Sequence, residues 1–184
     1  MALSHLVMAA AAAAQLQVAP VATEHSQLES GITAYESQQY DQARALLEPL
    51  AESGVTEAQY FMGVMHWYGA GVDLSALEAQ RWFSRAVKSW LSAAQAGDLD
   101  AMVEMSLMNR NGFGVDRNDT EALRWTELAL QRNANFARAV SLMGDHYLDG
   151  IGLPANRTTA IEWYRKAADL GDPWGQMMLE RLDQ

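Results

Sequence analysis

The small and apolar residues of this chain recur on a helical period that restarts three times. Counting from Trp82, Trp125 and Trp163, an alanine stands three residues before each (Ala79, Ala122, Ala160) and another four residues after (Ala86, Ala129, Ala167). Positions i, i+3 and i+7 share one stripe of an α-helix, so this spacing predicts the same helix three times. Seven residues before each tryptophan stand Ser75, Asn118 and Asn156. Each has a side-chain oxygen able to accept one of the unpaired amide protons of a first helical turn. Glu78 and Glu121 follow two of these residues at the spacing of a capping box. This helix is termed B.

A second helical stretch, helix A, precedes each copy at roughly 57–68, 100–111 and 137–149. Within it Ala58, Met62 and His66 recur as Ala101, Met105 and Asn109, then as Ala139, Met143 and Tyr147. The residue after the methionine is small each time: Gly63, Ser106 and Gly144. Glycine inside a helix costs about 1 kcal/mol relative to alanine, so its use there predicts the close approach of a neighbouring helix. Between A and B lies Gly-x-Gly and an apolar residue: Gly69-Ala70-Gly71-Val72, Gly112-Phe113-Gly114-Val115 and Gly150-Ile151-Gly152-Leu153. Glycine takes the left-handed conformation that ends a helix, so the loop is expected to stop helix A.

The tryptophans lie 43 and 38 residues apart. Helix–loop–helix units of that period form solenoids, in which each unit buries its apolar face on its neighbours. The predicted fold class is therefore all-α, an α–α superhelix of stacked repeats at 55–97, 98–134 and 135–171. The first is long: fifteen residues separate Trp82 from Gly97, against eight from Trp163 to Gly171. Apolar spacing through Ala86, Trp90 and Ala93 or Ala94 predicts two further turns on that helix B, about 10 Å.

These residues resemble the Sel-1-like repeat, a relative of the tetratricopeptide repeat. The third copy carries the pattern most fully: Leu142-Met143-Gly144-Asp145-His146-Tyr147-Leu148-Asp149-Gly150-Ile151-Gly152, then Ala160-Ile161-Glu162-Trp163-Tyr164-Arg165-Lys166-Ala167-Ala168-Asp169-Leu170-Gly171. The chain departs from it at Ser106, where the family has glycine, and at His66 and Asn109, where it has tyrosine. The likeness covers residues 55–184 and implies a right-handed solenoid whose A helices line a concave groove for a peptide or another protein. Mapped onto this chain, the groove positions are Tyr60, Val64, Trp67 and Tyr68, then Val103, Leu107, Arg110 and Asn111, then Ser141, Asp145, Leu148 and Asp149. Ordinary packing against the next repeat is the other reading of each. Most of the six tryptophans are expected in the core, with Trp67 and Trp174 as exceptions.

Residues 24–54 read as a degenerate repeat of tetratricopeptide type. Ala34 and Tyr35 close one helix, 37–41 turn, and Ala43, Leu46 and Leu50 line the next, which Pro49 should kink or loosen. Residues 172–184 read as a terminal helix that caps the stack. Residues 1–23 contain Leu6-Val7-Met8 and a run of alanines with no Lys or Arg. They fit a signal peptide or anchor lacking its positive start, or a frayed helix. A signal at 1–22 would imply a periplasmic or envelope location, and its absence a cytoplasmic one; membrane contact is expected only from an anchor.

Charge and composition narrow the chemistry. A formal net charge of −10 and a pI near 4.7 argue against nucleic acid or an anionic membrane surface as partner. With no cysteine there is no zinc ribbon and no thiol nucleophile, which separates the chain from the cysteine-rich branch of the family. Gly-x-Gly lacks a third glycine in phase and joins two helices, so it is no dinucleotide loop. His66, at the tyrosine position, reads as structural. Asp145, His146 and Asp149 carry ligand atoms on only one helical face, Asp116 and Asp119 flank a loop they can cap, and no cofactor or metal is expected. No nucleophile–base pattern is present, so the chain is expected to be a monomeric, non-enzymatic interaction scaffold or adaptor. The alternatives implied by the resemblance are a hydrolase-like activity, ascribed to cysteine-rich relatives, and a structural subunit of an envelope complex.

Overall fold

In the computed structural model, which describes residues 20–182 with side chains from 23, every repeat opens its B helix on the residue with the capping oxygen. Ser75, Asn118 and Asn156 accept the amide protons of Glu78 (3.2 Å), Glu121 (3.0 Å) and Thr159 (3.1 Å). The reciprocal half of a capping box is absent. The caps' own amides instead donate to helix A carbonyls, those of His66 (2.9 Å), Asn109 (2.8 Å) and Tyr147 (2.7 Å). Freed from that duty, Glu78 and Glu121 pair with Arg81 and Arg124 one turn on.

Among the described residues there are nine α-helices and no strand: α1 (Pro20–Glu36), α2 (Tyr40–Ser53), α3 (Thr56–Tyr68), α4 (Ala76–Ala96), α5 (Leu99–Asn111), α6 (Asp119–Arg132), α7 (Ala137–Asp149), α8 (Arg157–Asp169) and α9 (Pro173–Leu182). Helices α3, α5 and α7 are the A helices, each ended by a left-handed glycine: Gly69, Gly112 and Gly150. The second glycine of each loop meets the helix B of the unit before. A Cβ on Gly114 would lie 2.5 Å from the Phe83 carbonyl carbon, and one on Gly152 2.5 Å from the Asp119 carbonyl oxygen. No side chain fits there.

Consecutive helices pack on one another throughout, and A helices also meet across repeats, α1 on α3, α5 on α7 and α7 on α9. The exception is α3 and α5, no Cα pair of which comes within 8 Å. Helix α4 spans this junction with the two predicted extra turns, 21 residues against 14 in α6 and 13 in α8. Trp90 and Ala94, on or near the extension, are buried, and Trp90 packs on Tyr60 of α3 with centroids 5.7 Å apart.

The repeat tryptophans are placed differently from expectation. Trp125 is buried, but Trp82 and Trp163 are only half-buried, and the residue after each tryptophan, Phe83, Thr126 or Tyr164, is fully buried. These face the small residues of helix A. Gly63 lies under the Phe83 ring, Gly144 lies under the Tyr164 ring, and Ser106 hydrogen-bonds Thr126 at 2.8 Å. The tryptophans flank this seam beneath a cation, Arg85 at 4.5 Å, Arg124 at 4.6 Å and Lys166 at 5.4 Å.

At the N-terminal end α2 continues through Pro49 without a break, and Leu47 rather than Leu46 takes the buried position beside Ala43, Leu50 and Ala51. Residues 1–19, the bulk of the expected signal or anchor, lie outside the described residues. No helix among the described residues is long and apolar enough to cross a membrane. Beyond repeat 3, α9 packs on α8, burying Met178 against Ala160 and Tyr164.

Candidate interaction site

Helices α5 and α7 each turn a stripe of side chains toward one depression of about 380 Å³. Helix α5 supplies Val103, Leu107 and Arg110 at i, i+4 and i+7, and α7 supplies Arg138, Ser141, Leu142 and Asp145 on the matching face. The start of α9 adds Asp172 and Trp174. Apolar Val103, Leu107 and Leu142 sit between two clusters of polar groups, and both cationic side chains are already engaged. Arg110 donates to Asp145 (3.1 Å) and Asp149 (2.7 Å), tying repeat 2 to repeat 3. Arg138 does the same in reverse, pairing with Asp100 and with Glu104 (2.6 Å) on α5.

Asp145 organises the site. Its Oδ1 accepts the Tyr164 hydroxyl at 2.7 Å and the Trp174 indole N–H at 2.9 Å, while Oδ2 faces Arg110. Burial, and then Asp145, push the Tyr164 hydroxyl far above the usual tyrosine range. The Trp174 ring is fixed by its nitrogen yet remains 44% exposed, a rigid apolar plate at the rim.

The expected groove residues divide accordingly. Val103, Leu107, Arg110, Ser141 and Asp145 converge on the depression. Val64 packs in the core instead, and Tyr60 is half-buried among Phe61, Phe83 and Trp90. Trp67 lies edge-on to Phe113 and is 38% exposed. Tyr68 and Asn111 are exposed away from it, Leu148 packs toward α8 and α9, and Asp149 reaches it only through Arg110. Sequence reasoning placed none of Arg138, Leu142, Asp172 and Trp174 in the groove, although it set Trp174 outside the core. A signal existed for the last two: Asp172 caps the Gly175 amide (2.8 Å) as Asp98 caps that of Ala101 (2.8 Å), the start of an A helix.

His146 is buried at the α5–α6–α7 contact and is no ligand. Its Nδ1 lies 2.8 Å from the Ile151 carbonyl, which fixes the proton there, and its Nε2 accepts from Thr126 Oγ1 at 3.0 Å. Burial, and the nearby Arg110 charge, hold its pKa below the usual histidine value, although the Ile151 bond opposes them. No cluster of three metal-ligating side chains occurs among the described residues. His66 likewise serves its loop, Nδ1 bonding the Asp73 carbonyl at 3.1 Å, and Asp119 pairs with Arg117 beside its loop.

An A helix with a small residue over a buried helix B ring, a Gly-x-Gly loop and a capped B helix together define an α-solenoid of helix–loop–helix repeats. The Sel1 repeat profile matches residues 56–89, 99–133 and 137–172, more than half of the sequence, and the chain belongs to the Sel1 repeat family. Among solved structures it is similar to a Sel1 repeat protein from Oxalobacter formigenes, with 29% identity and a TM-score of 0.51 over 83% of this chain and 57% of that one. It is also similar to c5321, a protective antigen present in uropathogenic Escherichia coli strains displaying an SLR fold, with 29% identity and a TM-score of 0.50 over 83% and 32%. The chain thus spans 57% and 32% of the lengths of these two structures. A comparison with curated proteins finds no match. Sel1 repeats serve generally as protein-interaction scaffolds and are typically non-catalytic.

Proposed function

We propose that this protein is an interaction scaffold that seats a peptide or a loop of another protein on its A-helix face, at the depression between α5, α7 and α9. One observation carries the reading. Trp174 is held by its indole nitrogen yet leaves its ring open beside Val103, Leu107 and Leu142, the arrangement of an aromatic anchor at a binding hot spot. The surrounding ion pairs fix the walls in advance, which lowers the ordering cost of binding. A hydrolase reading gains no support from the serine–histidine pair Ser106–His146 (3.4 Å), since both residues are fully buried.

Photo-crosslinking in cells of the source organism tests this. A photoreactive residue at Leu107 or Ser141 is expected to capture a discrete protein partner, and one at Arg165 on the B-helix side is not. Trp174→Ala, which leaves the core intact, is expected to abolish the Leu107 adduct. An undiminished adduct in that variant, or equal capture from both sides of the solenoid, would remove the A-face site.

A further inference from the structure

The lengthened helix α4 builds a second and chemically opposite surface. Arg85, Lys88, Ser92 and Ala96 lie at i, i+3, i+7 and i+11 along one stripe of it. They form one wall of a groove of about 740 Å³ whose other wall is Gly54, at the α2–α3 turn, and Gln59 of α3. Ser92 and Ala96 belong to the turns that α6 and α8 lack, so repeats 2 and 3 have no counterpart to this wall.

Two independent features show what would fill it. The first is charge. The chain has 23 acidic and 13 basic side chains, and Arg44, Arg81, Arg110, Arg117, Arg124 and Arg138 each hold a carboxylate. Arg85 and Lys88 are among the seven that do not, and they line this groove with no carboxylate beside them: Arg85 lies over the Trp82 ring, and Lys88 has no polar partner among the described residues. Cations left unpaired amid an excess of acid make a local anion-attracting surface on an otherwise repelling molecule. The second is an orphaned acceptor. Gln59 is 7% exposed; its Nε2 donates to the Ala51 carbonyl at 3.1 Å, and its Oε1 is buried with no donor in reach. A buried acceptor without a donor costs free energy that a ligand N–H would restore.

We infer that this groove binds an acidic peptide segment in extended conformation, its carboxylates on Arg85 and Lys88 and a main-chain N–H on Gln59 Oε1. Nucleic acid fits less well. Its phosphates would meet the two cations, but the net charge of −10 repels a polyanion at range. The site stands apart from the A-face depression and shares no lining residue with it.

The test is fluorescence anisotropy on the full chain, with a labelled, N-acetylated decapeptide of alternating glutamate and alanine as probe and the lysine–alanine counterpart as control. The glutamate peptide is expected to bind and the lysine peptide not. The exposed pair Arg85→Glu with Lys88→Glu should weaken binding by about tenfold or more, the scale of lost charge-assisted hydrogen bonds. Gln59→Leu, checked for unchanged helicity by circular dichroism, should also weaken it, and Ser92→Trp on the exposed wall should block it if Gln59→Leu does not fold. Trp174→Ala should leave it unchanged, so failure here is separable from failure of the A-face site. No binding of the glutamate peptide, or binding indifferent to the charge reversal, would overturn the proposal.

Discussion

At the scale of single residues, Asp145 and Arg110 join the proposed binding surface to the fold. The sequence pointed to Arg110 as an outward-facing contact, because the pattern that marks a helix face does not say whether a neighbour covers it. The guanidinium reaches α7 and forms the fork that fastens repeat 2 to repeat 3. Arg110→Ala would leave Asp145, almost wholly buried, without its cation, and such a deletion costs about 3 kcal/mol or more. Urea denaturation is expected to show that loss, whereas Trp174→Ala should stay within about 1 kcal/mol, the usual effect at an exposed position. Equal stability in the two variants would mean that the fork is solvent-loosened. Tyr164, on the same carboxylate, gives the fold an alkaline limit. Its folded pKa is raised above that of the unfolded chain, so its contribution is complete below about pH 10, the free tyrosine value, and is lost as the pH rises further. Tyr164→Phe should flatten the fall in stability between pH 9 and 11, leaving the smaller slope due to Tyr35 and Tyr60, also raised chiefly by burial. Parallel slopes in wild type and variant would show that another group titrates.

At the scale of the helix, the caps, the glycine loops and the extra turns of α4 were legible because local chemistry dictates each of them. The depth of the tryptophans was not. Their strict register invited a core assignment, but register marks a repeated role, and that role is to flank the seam under a cation. The deepest position is the next residue, and it hides from periodicity because it varies as phenylalanine, threonine and tyrosine. Its size is set across the seam by helix A: glycine opposite a ring, serine opposite threonine. In repeat 2 the space an aromatic would take is filled by the His146 imidazole from the following repeat. This pairing gives an expected outcome against helix propensity. Gly144→Ala should gain about 1 kcal/mol as a helix former, yet the new Cβ falls 2.6 Å from Tyr164 Cε1 in a ring with no exposed surface. Overpacking of this kind costs about 1–3 kcal/mol, so a net loss is expected in thermal or chemical denaturation. A more stable variant would mean that the Tyr164 ring can move aside.

At the scale of the whole molecule, the stack has one junction unlike the others. Repeats elsewhere bring their A-helix backbones together as well as sharing a chain connection, but no Cα pair of α3 and α5 comes within 8 Å, and only side chains such as Val64 share a core with α5. Coupling there runs through α4, on which both pack, through the rings of Tyr60, Trp90 and Phe83, with Phe83 stacked on Phe113 of the next loop at 4.4 Å, and through Trp67 of α3 edge-on to the same Phe113. Repeat proteins unfold as a chain of units whose cooperativity depends on each interface, so the weakest one decides where the chain divides. Trp90→Ala removes the largest buried side chain of the α4 extension, with an expected loss of about 3–5 kcal/mol. Because Trp90 stands at the junction whose A-helix backbones are farthest apart, the loss should also split the transition. Denaturation followed by hydrogen exchange should show protection of α1–α3 collapsing at lower urea than that of α5–α8. Trp125→Ala offers the comparison, for its repeat is joined to the next by both routes, and a similar loss there should leave the transition single. If both variants unfold in one step with unchanged denaturant slope, the α4–α5 contact and the rings on Phe113 are enough to bind the two halves, and the wider spacing of α3 and α5 has no energetic consequence.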